Sequence, residues 1–145
     1  MLNPFPEVLF LGSFYVPFIL RIALGLFFLW LGIACTLKHR DRIASAFETR
    51  PPGPTFVHSF FPRIATPVVW MLALIEITVG IGILIGFLTQ VAALLAVIIV
   101  LKLMYFGRHY PYLAPGGIST YLFAITISLA LFISGAGAFA FDIPL

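Results

Sequence analysis

Apolar residues come in long runs along this chain, and polar residues collect between the runs. The first run extends from about Val16 to Leu37. A stretch of about 20 apolar residues crosses a hydrocarbon core of about 30 Å as a helix. Pro17 suits the first turn of that helix, and the cluster Lys38, His39, Arg40, Asp41 and Arg42 stops it. From Pro67 to Phe106 the chain stays apolar. One helix over that length would be about 60 Å long, twice the bilayer. Two spans are therefore expected, 67–86 and 90–106, joined by a tight turn at Gly86-Phe87-Leu88-Thr89-Gln90. A fourth span is expected over 118–134, ended by Gly135-Ala136-Gly137. The pattern predicts one domain, an all-α integral membrane four-helix bundle, with longer loops at 38–66 and 107–117.

The first loop has a pattern of its own. Ile43 and Phe47 lie four apart among charges in Asp41–Arg50, as in a short interfacial helix. Pro51, Pro52, Gly53 and Pro54 end it, and Phe56, Phe60 and Phe61 beside His58 and Arg63 suit the headgroup level. With four spans, the N-terminus, the turn near Leu88 and the C-terminus share one side, which holds Glu7 and Asp142 and no Lys or Arg. The other side holds Lys38, Arg40, Arg42, Arg50, Arg63, Lys102 and Arg108. Basic residues favour the cytoplasmic side, so both termini are expected on the non-cytoplasmic side of a multi-pass prokaryotic inner or plasma membrane protein.

Composition agrees. The chain is 62% hydrophobic and 9% charged, more apolar surface than a soluble domain of this length can hide. Met1–Ser13 has no Lys or Arg and carries Pro4 and Pro6, so the first apolar segment is expected to be retained, not cleaved as a signal. The net charge of +3 is not organised as a nucleic-acid patch, because the basic residues sit at the ends of apolar runs. Cys35 is the single cysteine, which excludes an intramolecular disulfide and a dithiol redox pair; it reads as a small apolar helix residue.

Away from the span ends, two charged residues lie within the spans, Arg21 and Glu76. Each costs about 3 kcal/mol or more at membrane depth unless paired or hydrated. Arg21, Gly25, Phe28, Gly32 and Cys35 share one helical face, and so do Val69, Ala73, Glu76, Gly80, Ile83 and Phe87. Small residues let helices approach closely, so the two faces are expected to meet with Arg21 and Glu76 pointing inward. The depth offset is expected to be roughly one and a half to two turns, within reach of a long side chain. Three roles stay open: an ion pair fixing helix register, a functional pocket, or an Arg21 that snorkels to the interface. In the second case Glu76 is the actor, since burial and a cation act in opposite directions on a carboxyl's proton affinity. A carboxyl balanced in that way suits a quinone headgroup, whose redox chemistry needs protons. His39, His58 and His109 fall in loops or at a helix end, so no tightly bound metal or haem is expected. Lys102 reads as a snorkelling lysine near a helix end, with binding of anionic lipid as the alternative, and Thr120, Thr126, Ser128 and Ser134 as residues bonding back to their own helix. Too few charges line any path to argue for an ion transporter.

The segments Leu20-Arg21-Ile22-Ala23-Leu24-Gly25 with Gly32, then Glu76 followed by Gly80, Gly82 and Gly86, and the closing Gly135-Ala136-Gly137-Ala138-Phe139-Ala140-Phe141-Asp142, come in an order and spacing that resembles the DoxX family of four-helix bacterial and archaeal membrane proteins. The resemblance implies a role associated with a quinone-linked oxidoreductase, and carries over Arg21, Glu76 and Asp142 as the polar positions of interest. The chain departs from the family pattern at Cys35, Gln90 and Ala140, where lysine, arginine and serine are frequent, which thins the polar set. The expected function is an accessory integral-membrane subunit of a redox complex, contributing to a quinone or quinol pocket. The alternative is a structural or assembly subunit without a catalytic role. Expected partners are the lipid bilayer and other membrane or redox subunits, or further copies of the chain, with no nucleic acid.

Overall fold

Long apolar runs without breakers become long helices. In the computed structural model, which describes residues 5–49, 61–107 and 116–134, α1 covers Phe5–Trp30 and continues as a π-helical segment over Leu31–Leu37. α2 covers Arg40–Thr49, α3 Phe61–Ile85, α4 Thr89–Gly107 and α5 Ile118–Ser134. Among the described residues there is no strand. Three stretches, Tyr15–Leu37, Ile64–Ile85 and Thr89–Gly107, are long and apolar enough to cross a membrane. α5 is apolar but has 17 residues, about 26 Å at 1.5 Å per residue, less than the hydrocarbon thickness. Large apolar side chains point outward from the long helices: Ile19, Leu26, Met71, Ile98, Phe123 and Ile133 are exposed. Water would not tolerate such a surface; lipid would.

Two helices begin earlier than the hydrophobic runs suggest. α1 starts at Phe5 and α3 at Phe61, so Pro17 and Pro67 lie inside helices and not in their first turns. Pro6 and Pro62 occupy the first turns instead, where a missing N–H costs nothing. An interior proline removes one backbone bond and is tolerated in membrane helices. Phe61 and Arg63 accordingly belong to α3. Phe56, His58 and Phe60, most of the 107–117 loop and the Gly135–Gly137 terminator fall outside the described residues.

The expected short helix after the first span is α2. Its apolar face, Ile43, Ala44 and Phe47, is buried, and it packs on α3. On its polar side Arg40 pairs with Asp41 at 3.4 Å and lies 5.2 Å from the centre of the Trp70 ring, a cation–π arrangement.

α1 and α3 meet through glycines. A Cβ on Gly80 would lie 3.0 Å from both the Gly25 carbonyl oxygen and the Leu29 nitrogen. One on Gly25 would lie 2.6 Å from Leu84 Cγ, and one on Gly32 would lie 2.8 Å from Ile77 Cγ1 and 3.2 Å from the Ala73 carbonyl oxygen. Gly25 thus faces Gly80 and Leu84, while Gly32 faces Ala73 and Ile77. As the number rises on α1 it falls on α3, so the two helices run antiparallel.

The turn between α3 and α4 is a helix cap followed by a restart. Gly86 has φ 75°. Its N–H donates to the Ile83 carbonyl at 3.2 Å, and the Phe87 N–H donates to the Gly82 carbonyl at 3.1 Å. This pair of bonds around a left-handed residue is the Schellman closure, which favours glycine. Gly86→Ala is expected to cost about 1–2 kcal/mol, the penalty of a left-handed alanine. Thermal melts in detergent check this; an unchanged midpoint would contradict it.

Candidate functional site

The π-helical segment prepares the site. Its widened turns, shown by the Lys38 N–H donating to the Ile33 carbonyl at 3.2 Å, carry more residues per turn than an α-helix. Thr36, four residues on from Gly32, shares the inward face with Gly32 and Cys35, and Leu31, Gly32, Cys35 and Thr36 are all buried. Across the interface, α3 presents Glu76 at the level of Gly32, whose Cβ position would lie 3.3 Å from Glu76 Cβ. The Thr36 hydroxyl donates to Glu76 Oε2 at 2.6 Å, a charge-assisted distance.

The second carboxylate oxygen is placed differently. Glu76 is 0% exposed, and Oε1 has no hydrogen-bond partner. Lys102 Nζ, from α4, lies 3.9 Å away, close enough for Coulomb attraction and too far for a hydrogen bond. The Lys102 side chain is 25% exposed, so it links the buried carboxyl to the rim of the bundle. The Cys35 thiol and the Tyr121 phenol of α5 lie within electrostatic reach of Glu76. The Gly116 N–H donates to the Tyr121 oxygen at 3.2 Å. His39 Nδ1 sits 3.1 Å from the Cys35 carbonyl oxygen. The arrangement can take up or release a proton at Oε1 while Oε2 stays anchored.

Arg21 and Glu76 are both buried, at 2% and 0%, but the expected pair between them is not formed. The partners of Glu76 are Thr36 and Lys102. The reason is the antiparallel register. Arg21 lies eleven residues before Gly32, the residue level with Glu76, which separates the two charges by about 16 Å along the axis, three turns and not two. Arg21 instead places its guanidinium 5.3 Å from the centre of the Phe18 ring, near the end of the bundle that carries the Gly86–Leu88 turn. Asp142 lies outside the described residues.

Thr36, Tyr121 and the role of Lys102 were not found from the sequence. Lys102 could have been: reflected through the turn at Phe87-Leu88, it falls about one turn beyond the level of Glu76, within reach of its long side chain. Thr36 shares a helical face with Gly32 by its spacing of four, and Tyr121 depends on how α5 docks.

A separate groove of about 320 Å³ runs between α1 and α5. Ala23, Leu24, Phe27, Phe123, Ala124 and Ile127 form its walls, with Ser119 and Thr120 at one end. It is apolar and does not include Glu76.

The family model of DoxX matches residues 16–109. The match covers most of the chain, including Arg21, Thr36, Glu76 and Lys102, and the chain belongs to the DoxX family, a group of redox-associated membrane proteins. Comparisons with curated proteins and with solved structures gave no match.

Proposed function

We propose that this chain is an accessory integral-membrane subunit of a quinone-linked oxidoreductase, and that Glu76 is the proton-handling group of a quinone or quinol headgroup site. The supporting observation is the split environment of the Glu76 carboxyl: Oε2 is anchored by Thr36, while the buried Oε1 makes no hydrogen bond. An orphaned buried oxygen is costly, and a ligand hydroxyl donating to it would remove that cost. A quinone, when bound, supplies chemistry that takes up or releases two electrons and two protons together. Glu76 would exchange one of those protons at Oε1, and Lys102 would offset the carboxylate charge. The chain's own residues offer no electron carrier among those described, so a partner subunit would supply the flavin, haem or iron–sulfur group that exchanges the electrons. The apolar groove between α1 and α5 suits the hydrocarbon tail of such a molecule.

In this proposal α5 serves as a fourth span, both termini lie on the non-cytoplasmic side, and the membrane is a prokaryotic inner or plasma membrane. The uneven placement of Lys and Arg supports the orientation. A second role, as a structural or assembly subunit, is favoured by the breadth of exposed apolar surface on all three long helices, which further subunits could cover as readily as lipid. Gentle extraction from native membrane, followed by mass measurement of the intact complex, separates the two. The redox role predicts co-migration with a protein that carries flavin, haem or an iron–sulfur cluster. Migration alone, or with copies of itself, would remove that role.

A further inference from the structure

We infer that Glu76 exchanges protons with one face of the membrane only, the face bearing Lys102 and α2, and that Lys102 is the connecting group. The inference rests on the reading of Glu76 as a proton-exchanging carboxyl, but not on a quinone.

The two directions away from Glu76 differ in kind. Toward the Lys102 end, the ammonium group lies 3.9 Å from Oε1 and its side chain is 25% exposed. A single residue therefore spans from the buried carboxyl to the rim. Toward the Arg21 end, the side chains buried at the seam of α1, α3 and α4 are apolar, and the groove beside them between α1 and α5 has apolar walls except for Ser119 and Thr120 at one end. Leu24, Phe28, Val79, Ile83, Ala93 and Ala96 are all buried there. Gly25 and Gly80 bring the backbones of α1 and α3 into direct contact, leaving no room even for a methyl group. About three turns of such packing separate the level of Glu76 from Arg21. Close-packed apolar interiors contain few voids that hold water. Proton movement needs a chain of polar groups or waters, and among the described residues Lys102 and Thr36 are the polar side chains in direct contact with the Glu76 carboxyl. Among the described residues, the other titratable groups facing Glu76 are Cys35 from the π segment and Tyr121 from α5; its own helix adds none between Ile64 and Ile85.

The test uses the full chain in membrane vesicles of known sidedness, with the pH of each face set independently. Dicyclohexylcarbodiimide partitions into the bilayer and reacts with a protonated carboxyl. The carboxyl proton moves to a carbodiimide nitrogen, the carboxylate oxygen bonds to the central carbon, and the adduct rearranges to a stable N-acylurea without any redox change. Fragment masses locate the adduct on Glu76, so Cys35 and Tyr121 do not enter the readout. Raising the pH by one unit on the Lys102 face is expected to slow labelling by up to about tenfold, and the same change on the Arg21 face is expected to leave it unaltered. A rate that follows the Arg21 face, or both faces equally, overturns the inference. No labelling at any pH overturns the reading of Glu76 as a proton-exchanging group as well, which keeps the two failures apart. Lys102→Met removes the cation that favours the carboxylate, so labelling at a fixed pH is expected to rise about threefold. An unchanged rate in that variant would contradict the role given to Lys102.

Discussion

Glu76→Gln is expected to lower quinone-linked turnover of the assembled complex by about 100-fold, the lower end of what a positioned acid–base group contributes. Glutamine keeps the shape of the side chain and an oxygen for the Thr36 hydroxyl at the Oε2 position. It cannot exchange a proton at the Oε1 position. Lys102 loses its counter-charge, but it lies five residues from the end of α4 and its long side chain can snorkel toward the headgroups, so the bundle should still assemble. The check is turnover per assembled complex, with the amount of complex measured in parallel. Full turnover in the variant would remove Glu76 from the chemistry. Loss of turnover together with loss of assembly would point to a structural role.

Gly80→Leu is expected to give the largest loss of stability, about 3 kcal/mol, at the upper range for overpacking. At position 80 even a methyl group meets two backbone atoms at 3.0 Å, the Gly25 oxygen and the Leu29 nitrogen. Backbone cannot rotate away as a side chain can, so α1 and α3 must separate. For a chain of this length, that corresponds to a fall of roughly 10 °C in melting midpoint. Separation at Gly80 also moves Gly32 away from Glu76 and weakens the Thr36 bond, so function should fall with stability. Gly82 is the control on the same helix. Nothing lies within 4 Å of its Cβ position, and Gly82→Ala is expected to be neutral or slightly stabilising because alanine is the better helix former. Equal effects at the two glycines would contradict the close-packed interface.

Much of the helical layout can be read from the sequence because it follows from length and hydropathy. The long apolar runs, the amphipathic pair Ile43 and Phe47, and the Gly86 turn each carry a local physical signature. The burial of Arg21 and Glu76 follows from their sharing faces with small residues. The partner of Glu76 is different in kind, because it depends on register between helices. Both helices are almost uniformly apolar, so sliding one along the other changes little in the pattern. The offset between Arg21 and Glu76 is therefore about a turn larger than the hydrophobic pattern suggests. The π segment over Leu31–Leu37 has no distinguishing composition, since α and π geometry differ only in whether each N–H reaches the carbonyl four or five residues back. Lys102 resembles any basic residue near a helix end until the α3–α4 hairpin is folded back on itself.

The central claim is that Glu76 belongs to a site that holds a quinone. The most direct measurement is the quinone content of the gently extracted complex, wild type against Glu76→Ala, with the amounts of chain and partner determined in the same preparation. The account predicts quinone retained in the wild type and lost from an otherwise intact Glu76→Ala complex. A wild-type complex without quinone, or one whose quinone is indifferent to the substitution, would contradict it.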